Sequence, residues 1–376
     1  MLSMCICHMV RQIKGIEGDT QLDYSGAMMI ITIKLSSYGF SRMDGFTNDP
    51  ISTHSEKMKI VHEPTLLQYF GWIFFFSGFL TGPSCEYMDY IHFIEMTPER
   101  QGSSSSWMPA LRRLVKSLIF ISIIVSFGST FNYFEALKPE WVFFIQLSGF
   151  LTRCKYYCIW YLSEGACILS GFGYNGLDLK GKPRWDHLNN VNVLDCEFAQ
   201  SYKQLSENWN IGANHWLRHY VYLRFQRIHP KDSMYTTMKT YIVSSMWHGF
   251  HPGFYFFFII AAILQLMARQ VRRTIRPLFM LDQKRPIPYW KTFYDICTWL
   301  ASIGFLNMLV PCFDLLYVSR IMHVWRQIYY CHFILMAVGS VLFLILKPFL
   351  LSIQKKRLIV QQQQQEVDLL KIKKRL

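Results

Sequence analysis

Long apolar runs without a charged residue constrain this chain more than any other feature. Residues 66–85, 118–134, 296–313 and 328–346 contain no Asp, Glu, Lys or Arg. A helix crosses the hydrocarbon core of a bilayer with about 20 mostly apolar residues. Each run approaches that length, so each is predicted to span a membrane.

The form of these runs also selects the fold class. Inside lipid the backbone must satisfy its own hydrogen bonds, which leaves helices or closed barrels. The runs are too long and too little alternating for barrel strands. Only 17% of residues are charged and 51% are hydrophobic, whereas about a quarter of a soluble domain is charged. The sequence therefore predicts an all-α, polytopic transmembrane helical bundle.

The net charge of +14 raises the question of an anionic partner. Basic residues cluster in the segments between and after the apolar runs, at residues 269–276 and 355–357. Such clusters set membrane topology and meet anionic lipid head groups. No basic-aromatic module of a nucleic-acid-binding fold is present. We therefore expect membrane lipids, and no nucleic acid, as partners.

Cysteine spacing indicates neither a metal site nor a disulfide framework. The ten cysteines are scattered and form no Cys-x-x-Cys pair, the spacing typical of zinc sites. Several lie in apolar segments, where cysteine behaves as a small hydrophobic residue.

A candidate catalytic histidine follows a predicted helix over residues 234–248. His248 stands among Trp247, Phe250 and Phe254, and burial there would disfavour its charged form. A neutral imidazole is the usual general base. Gly249 would let a substrate approach closely. From the residues alone, a structural role for one histidine at a helix end remains open.

Asn210 is the second candidate, because Trp209 and Asn210 open a predicted amphipathic helix over residues 209–227. An uncharged amide both donates and accepts hydrogen bonds. It could orient a hydroxyl or hold a developing oxyanion.

Ionisable residues also interrupt the apolar stretch 141–173, at Arg153, Lys155 and Glu164. Such residues at membrane depth usually face a bundle interior or a wet cavity. One interpretation places Arg153 and Lys155 at an interface between two short helices. The other has Glu164 lining a polar chamber.

Two further interpretations concern the remaining histidines. Most are isolated and predicted to lie on surface loops: His8, His54, His62, His92, His187 and His229. His215 and His219 are spaced i, i+4, and His248 and His251 form a second pair, so a membrane di-iron desaturase or hydroxylase is an alternative. The chain has no His-His doublet, which that class carries.

Several motifs together resemble a known family. They are ENWN at 207–210, NHWLR at 214–218, YVYLR at 220–224 and SSMWHGFHPG at 244–253. Upstream, KLSSYGFSRMDG at 34–45, GPSCEYMDY at 82–90 and KYYCIWYLSEGACILSGFGYNG at 155–176 also fit. Over residues 25–351 the chain is similar to membrane-bound O-acyltransferases, and within them to fungal broad-specificity lysophospholipid acyltransferases.

The resemblance implies a helical bundle that encloses a reaction chamber. His248 matches the family's catalytic histidine, and Asn210 matches its second catalytic position. The implied reaction moves a fatty acyl group from acyl-CoA to the free, sn-2 hydroxyl of a lysophospholipid, with no metal or bound cofactor.

Other residues of these motifs are candidates for substrate contact. They are Trp209, Asn214, Trp216, Arg218, Tyr222, Arg224, Trp247, Gly249 and Glu164. Arg218 and Arg224, with Tyr222, would meet phosphates of CoA or of the lipid head group. A solvated or interfacial basic helix face is the open alternative.

The resemblance also divides the chain into segments. Residues 1–21 form a polar lead-in, 22–351 the transmembrane acyltransferase domain, and 352–376 a polar basic tail. The family has further helices before the segment matching 22–40, which implies an N-terminally shortened version. A non-catalytic scaffold or transporter with the same bundle is therefore a further alternative.

The last four residues, Lys373-Lys374-Arg375-Leu376, match a dilysine retrieval signal. They imply a multi-pass protein of the endoplasmic reticulum membrane with a cytosolic C-terminal tail. Oligomeric state is not predicted.

Overall fold

The computed structural model describes residues 2–14, 24–96, 105–131, 133, 142–230, 232–281 and 285–373, with side chains described up to residue 359. Its helices are α1 (Leu2–Lys14), α2 (Ser25–Thr47), α3 (Thr53–Met58), α4 (Leu66–Ile73), α5 (Tyr87–Ile94), α6 (Trp107–Phe127), α7 (Val142–Leu169), α8 (Val193–Glu197), α9 (Tyr202–Asn208), α10 (Ile211–Trp216), a π-helix (Leu217–Tyr222), α11 (Leu223–Ile228), α12 (Ser233–His248), α13 (Pro252–Ile275), a 3₁₀ turn (Arg276–Phe279), α14 (Trp290–Leu315), α15 (Val318–Gln327) and α16 (Cys331–Lys373). Within these ranges, β-structure is limited to two isolated β-bridges. The protein is an all-α membrane bundle, as predicted.

Three helices of the described ranges are long and apolar enough to cross a membrane. They cover Pro252–Phe279, Trp290–Leu315 and Cys331–Ile359. None of the most apolar stretch of the third helix is buried inside the protein. A helix with that property fits a position facing lipid. The predicted span at 296–313 falls within the second helix, and residues 331–346 of the span predicted at 328–346 fall within the third, which begins three residues later than predicted.

Of the other two predicted spans, the one at 66–85 is wrong as a continuous helix, and the one at 118–134 lies partly outside the described residues. In residues 66–85, α4 begins behind a capping box formed by Thr65 and Gln68 and ends at Ile73. Turns follow as far as Thr81. In residues 118–134, α6 ends at Phe127, and residues 132 and 134 lie outside the described part. Trp72 and Ile73 of the first run are buried, whereas Leu118, Val125 and Phe127 of the second run are exposed.

A buried lysine ties α2 to the end of α4. Lys34 is fully buried, and its ammonium donates hydrogen bonds to the carbonyls of Trp72 (2.7 Å) and Ile73 (3.1 Å). These are carbonyls of the last helical turn, which have no partner within the helix. The side chain therefore stabilises the point where α4 ends.

Close packing joins the first two spans. The backbone N–H of Gly253, at the start of α13, donates to the carbonyl of Leu316 just after α14 (3.0 Å). A Cβ at position 253 would overlap the carbonyl oxygen of Cys312. Glycine is required at this approach of the two backbones.

The predicted N-terminal lead-in contains a helix, α1, that packs on the bundle. Met4 and His8 are both buried, so the surface-loop interpretation of His8 is wrong. The predicted boundary at residue 21 lies outside the described residues. The division into lead-in, transmembrane domain and tail stays a prediction.

Candidate active site

His248 is the last residue of α12 and lies among aromatic rings. The stacked ring of Phe258 is 5.2 Å from it between centroids, and the ring of Phe313 meets it edge-on at 4.8 Å. Phe254 adds a third ring at 5.7 Å. Two of these residues belong to α13 and one to α14, so the imidazole lies where two membrane spans meet α12.

This environment favours the neutral imidazole. His248 lies outside the three spans, and burial lowers its pKa, with nearby His8 lowering it further. Desolvation penalises the charged form of histidine. The sequence-based expectation of a neutral ring agrees with this direction.

Gly249 ends α12 in a backbone conformation that other residues rarely adopt, with φ of 137°. A Cβ there would lie 3.3 Å from both Nδ1 of His8 and Cε2 of Phe254. Glycine therefore permits the chain to turn beside the His248 ring without displacing either neighbour.

Trp247 and Trp216 connect α12 with α10. Their rings lie 5.8 Å apart between centroids. The indole of Trp247 donates to the carbonyl of Met29 (3.0 Å), and that of Trp216 donates to Oγ of Ser36 (2.9 Å). Both acceptors belong to α2. The helix that ends at His248 and the helix that begins after Asn210 are thus fixed to the same third helix.

Asn210 precedes α10 in the left-handed conformation, with φ 44° and ψ 58°. Asparagine tolerates this region better than most residues. Its carbonyl accepts the N–H of Asn214 (2.9 Å) and so starts the helix. The preceding ring, Trp209, packs on α7, with its centroid 4.9 Å from that of Trp160.

A buried asparagine that the sequence analysis missed positions the start of α10. Asn190 accepts the N–H of Ile211 on its backbone carbonyl (2.8 Å) and that of Gly212 on Oδ1 (3.0 Å). These are N–H groups of the first helical turn, which need partners from outside the helix. The contact joins residues some twenty positions apart through a loop, so no local pattern signals it.

Glu164 supports the same loop from α7. Its carboxylate is 1% exposed and accepts the backbone N–H groups of Asn190 (2.7 Å) and Val191 (3.2 Å). Arg113 pairs with it at 3.1 Å. Glu164 therefore holds Asn190, which in turn holds the helix that follows Asn210.

One sequence-based interpretation of the α7 segment disagrees with the structure. α7 is one continuous helix of 28 residues, so Arg153 does not mark a junction of two short helices. It pairs with Glu197 at 2.7 Å. Glu164 binds backbone N–H groups and Arg113, and its contact with substrate stays a prediction.

The remaining predicted contact residues divide into engaged and exposed side chains. Arg224 pairs with the buried carboxylate of Asp44, one bond being 2.8 Å. The amide of Asn214 donates to the carbonyl of Ser206. Arg218 is exposed and Tyr222 is half-buried. Arg224 thus holds α11 against α2, contrary to the picture of a solvated basic face.

The di-iron alternative does not match the positions of the histidines. It rested on two pairs, His215 with His219 and His248 with His251, each spaced to share a metal. In the described part of the chain, one group of three or more metal-ligating side chains is close enough to share an ion, and it consists of His54, His215 and His219. The two histidines around Gly249 are outside it.

Comparisons with known proteins agree with the motifs. The model of the membrane-bound O-acyltransferase family matches residues 12–310. The chain is 34% identical to a lysophospholipid acyltransferase of Schizosaccharomyces pombe over 86% of this chain and 66% of the relative. It is 29% identical to a lysophospholipid acyltransferase of Saccharomyces cerevisiae, over 90% and 60%.

A human relative, membrane-bound glycerophospholipid O-acyltransferase 2, is 31% identical over 92% of this chain and 68% of its own length. The chain thus spans about two thirds of the length of these three relatives. The family model covers most of the chain, including Asn210, His248, the first span and most of the second. The chain therefore belongs to the membrane-bound O-acyltransferase family.

Proposed function

We propose that this protein transfers a fatty acyl group from acyl-CoA to the free hydroxyl, at sn-2, of a lysophospholipid. The observation that carries the proposal is the neutral His248 ring, set among aromatic side chains where two membrane spans meet α12. The names of the relatives, lysophospholipid acyltransferases of two yeasts, support the substrate class.

His248 acts as the general base in this reaction. It removes the proton from the lysolipid hydroxyl while the oxygen attacks the thioester carbonyl of acyl-CoA. An ester C–O bond forms, the C–S bond breaks, and the proton passes from the imidazole to the departing thiolate. The reaction needs no metal and no bound cofactor, since acyl-CoA supplies the activated acyl group.

Asn210 orients the reactants by donating from its amide to the oxyanion that develops on the thioester oxygen. Its side chain does not cap α10, which leaves the amide available for substrate. Trp209 on one side and the bonds from Asn190 on the other hold its backbone. A rigid amide provides more stabilisation than a mobile one, because it is already oriented when charge develops.

The rings around His248 provide an apolar surface for the acyl chain. Gly249 has no side chain, so position 249 does not crowd the imidazole. Arg218 and Tyr222 are the candidates for phosphate contact, because the guanidinium is exposed and forms charge-assisted bonds. Arg224 and Glu164 are positioning residues, through Asp44 and Asn190 respectively.

The membrane in question is proposed to be that of the endoplasmic reticulum, with the C-terminal tail cytosolic. The support is the Lys373-Lys374 pair in the sequence, of which residue 374 lies outside the described part. Acylation of lysophospholipids in such a membrane serves phospholipid remodelling or synthesis.

The test is an assay of purified protein in phospholipid vesicles with lysophosphatidylcholine and radiolabelled acyl-CoA. We expect labelled phosphatidylcholine, in equal yield with and without oxygen and an iron chelator. Folded protein that forms no labelled ester with any lysophospholipid would favour the scaffold or transporter. Product that requires oxygen and iron would favour the desaturase class.

A further inference from the structure

Three imidazoles from separate elements meet outside the proposed catalytic site. They belong to His54 on α3, His215 on α10 and His219 on the π-helix. Their ring centroids are 4.1 Å (54 to 219), 4.3 Å (215 to 219) and 4.6 Å (54 to 215) apart. One ligand nitrogen from each ring lies within 4.8 Å of the other two. The interpretation of His54 as an isolated surface histidine is therefore wrong.

Two nitrogens of this cluster are buried without a hydrogen-bond partner, Nε2 of His54 and Nδ1 of His219. A buried polar atom normally has a partner, and leaving it without one costs free energy. A metal ion bound among the three rings would give such nitrogens a partner for their lone pairs.

A carboxylate lies next to the three rings. Oε1 of Glu86 is 3.7 Å from Nε2 of His54, and both side chains are about 15% exposed. Three imidazoles and one carboxylate or water form a common donor set for four-coordinate zinc, with Zn–N distances of about 2.0–2.1 Å. Shifts of about 1 Å in side-chain position bring the nitrogens to that geometry.

The backbone around the cluster is also unusual. Residues Leu217–Tyr222 form a π-helix, a rare conformation that is frequent at functional sites. His215 and His219 are spaced i, i+4, so their side chains lie on the same side. Both rings contact that of His54 on α3.

We propose that His54, His215 and His219 bind a divalent transition metal ion, zinc in the first instance, with Glu86 as the nearest additional ligand. Nitrogen donors select zinc and its late first-row neighbours over Mg²⁺ and Ca²⁺. The cysteine spacing that argued against a zinc site has no bearing here, because the ligands are imidazoles contributed by segments 160 residues apart.

The ion is structural and lies apart from the acyl-transfer chemistry. It joins α3 to α10, the short helix that starts after Asn210. Metal binding that closes a contact between distant segments stabilises the folded state. We therefore expect the bound ion to raise the melting temperature and to hold α10 in place directly after Asn210.

The test measures metal directly. Full-length protein carrying a non-histidine affinity tag is purified in detergent, and its metal content is determined by plasma mass spectrometry. We expect about one zinc per chain, and far less than one in His54→Ala and in His215→Ala. His229→Ala is the matched control, because this exposed histidine follows α11 and is outside the cluster. It should keep the zinc.

A second measurement needs no variant. Wild-type protein stripped with a chelator is titrated with Co²⁺, and we expect the intense visible absorption of a four-coordinate complex with a stoichiometry of about one. Zn²⁺ should bleach the absorption and raise the melting temperature. Stripped, folded protein that takes up neither ion would overturn the proposal, as would equal zinc content in His54→Ala and the control. Neither readout depends on acyl transfer.

Discussion

Replacing Asn190 with alanine isolates the support of the proposed oxyanion residue. Oδ1 of Asn190 is the acceptor for the N–H of Gly212 (3.0 Å), two residues after Asn210. The backbone N–H of residue 190 donates to Glu164 (2.7 Å), and its carbonyl accepts the N–H of Ile211 (2.8 Å). Neither bond involves the side chain that the substitution removes. Asn190→Ala should therefore loosen the first turn of α10 without releasing the loop.

The expected size of the effect follows from the bond that is lost. A buried donor left without its acceptor costs about 1 to 3 kcal/mol. If this free energy is lost from stabilisation of the transition state by the Asn210 amide, kcat falls roughly 5- to 150-fold, since 1.36 kcal/mol corresponds to a tenfold change in rate. KM should change by less than about twofold, because uniform substrate binding is unaffected.

The assay is a determination of kcat and KM for acyl-CoA and lysophosphatidylcholine in purified protein, with the melting temperature recorded in parallel. Asn175→Ala is the control, because its amide donates to Asp186 (2.7 Å) in an exposed loop. That control should match wild type. If Asn190→Ala retains the wild-type kcat while its melting temperature falls, Asn190 is structural only and the proposed positioning chain is wrong.

Three further outcomes are expected. Gly253→Ala should lower both the melting temperature and acyl transfer, because its methyl group would overlap a carbonyl of α14; unchanged values would contradict the close approach of the two spans. Asp44→Asn should lower the free energy of unfolding by about 3 to 5 kcal/mol, because it leaves Arg224 without its counter-charge. Asp49→Asn, in a half-exposed pair, should lower it by about 1 kcal/mol or less. Thermal unfolding of the two variants measures the difference. The lowered pKa keeps His248 neutral, so kcat/KM should be maintained as the pH falls below about 6.5, the ordinary pKa of histidine. It should decline only near the lowered pKa. A profile in which kcat/KM has fallen to half its maximum at about pH 6.5 or above would contradict this.

The sequence predicted the helix that ends at His248 closely, over residues 234–248, where α12 covers Ser233–His248. The helix predicted over 209–227 is divided into α10, the π-helix and α11, and the aromatic neighbours of His248 predicted a neutral ring. These are local signals, since helix ends and burial are encoded by neighbouring residues.

Apolar runs were less informative about which segments cross the membrane. Residues 66–85 have the composition of a span, yet α4 stops at Ile73 and turns follow to Thr81. The interior of a helical bundle is as apolar as lipid, so hydrophobicity alone does not separate a packed segment from a spanning one.

Contacts between distant residues were not predictable from one sequence. The bonds of Asn190 to α10, the pair of Arg153 with Glu197, and the approach of His54 to His215 each join segments that only the tertiary structure brings together. Each of these side chains is unremarkable in its own local sequence. Their partners depend on how helices pack, for which a single sequence contains no local signal.

The role of His248 is tested most directly by the rate of ester formation in purified, folded protein that lacks this imidazole. We expect His248→Ala to form product from radiolabelled acyl-CoA and lysophosphatidylcholine about 10²- to 10⁴-fold more slowly than wild type, with an unchanged melting temperature and oligomer profile. A variant that esterifies lysophosphatidylcholine at the wild-type rate would show that another group removes the proton.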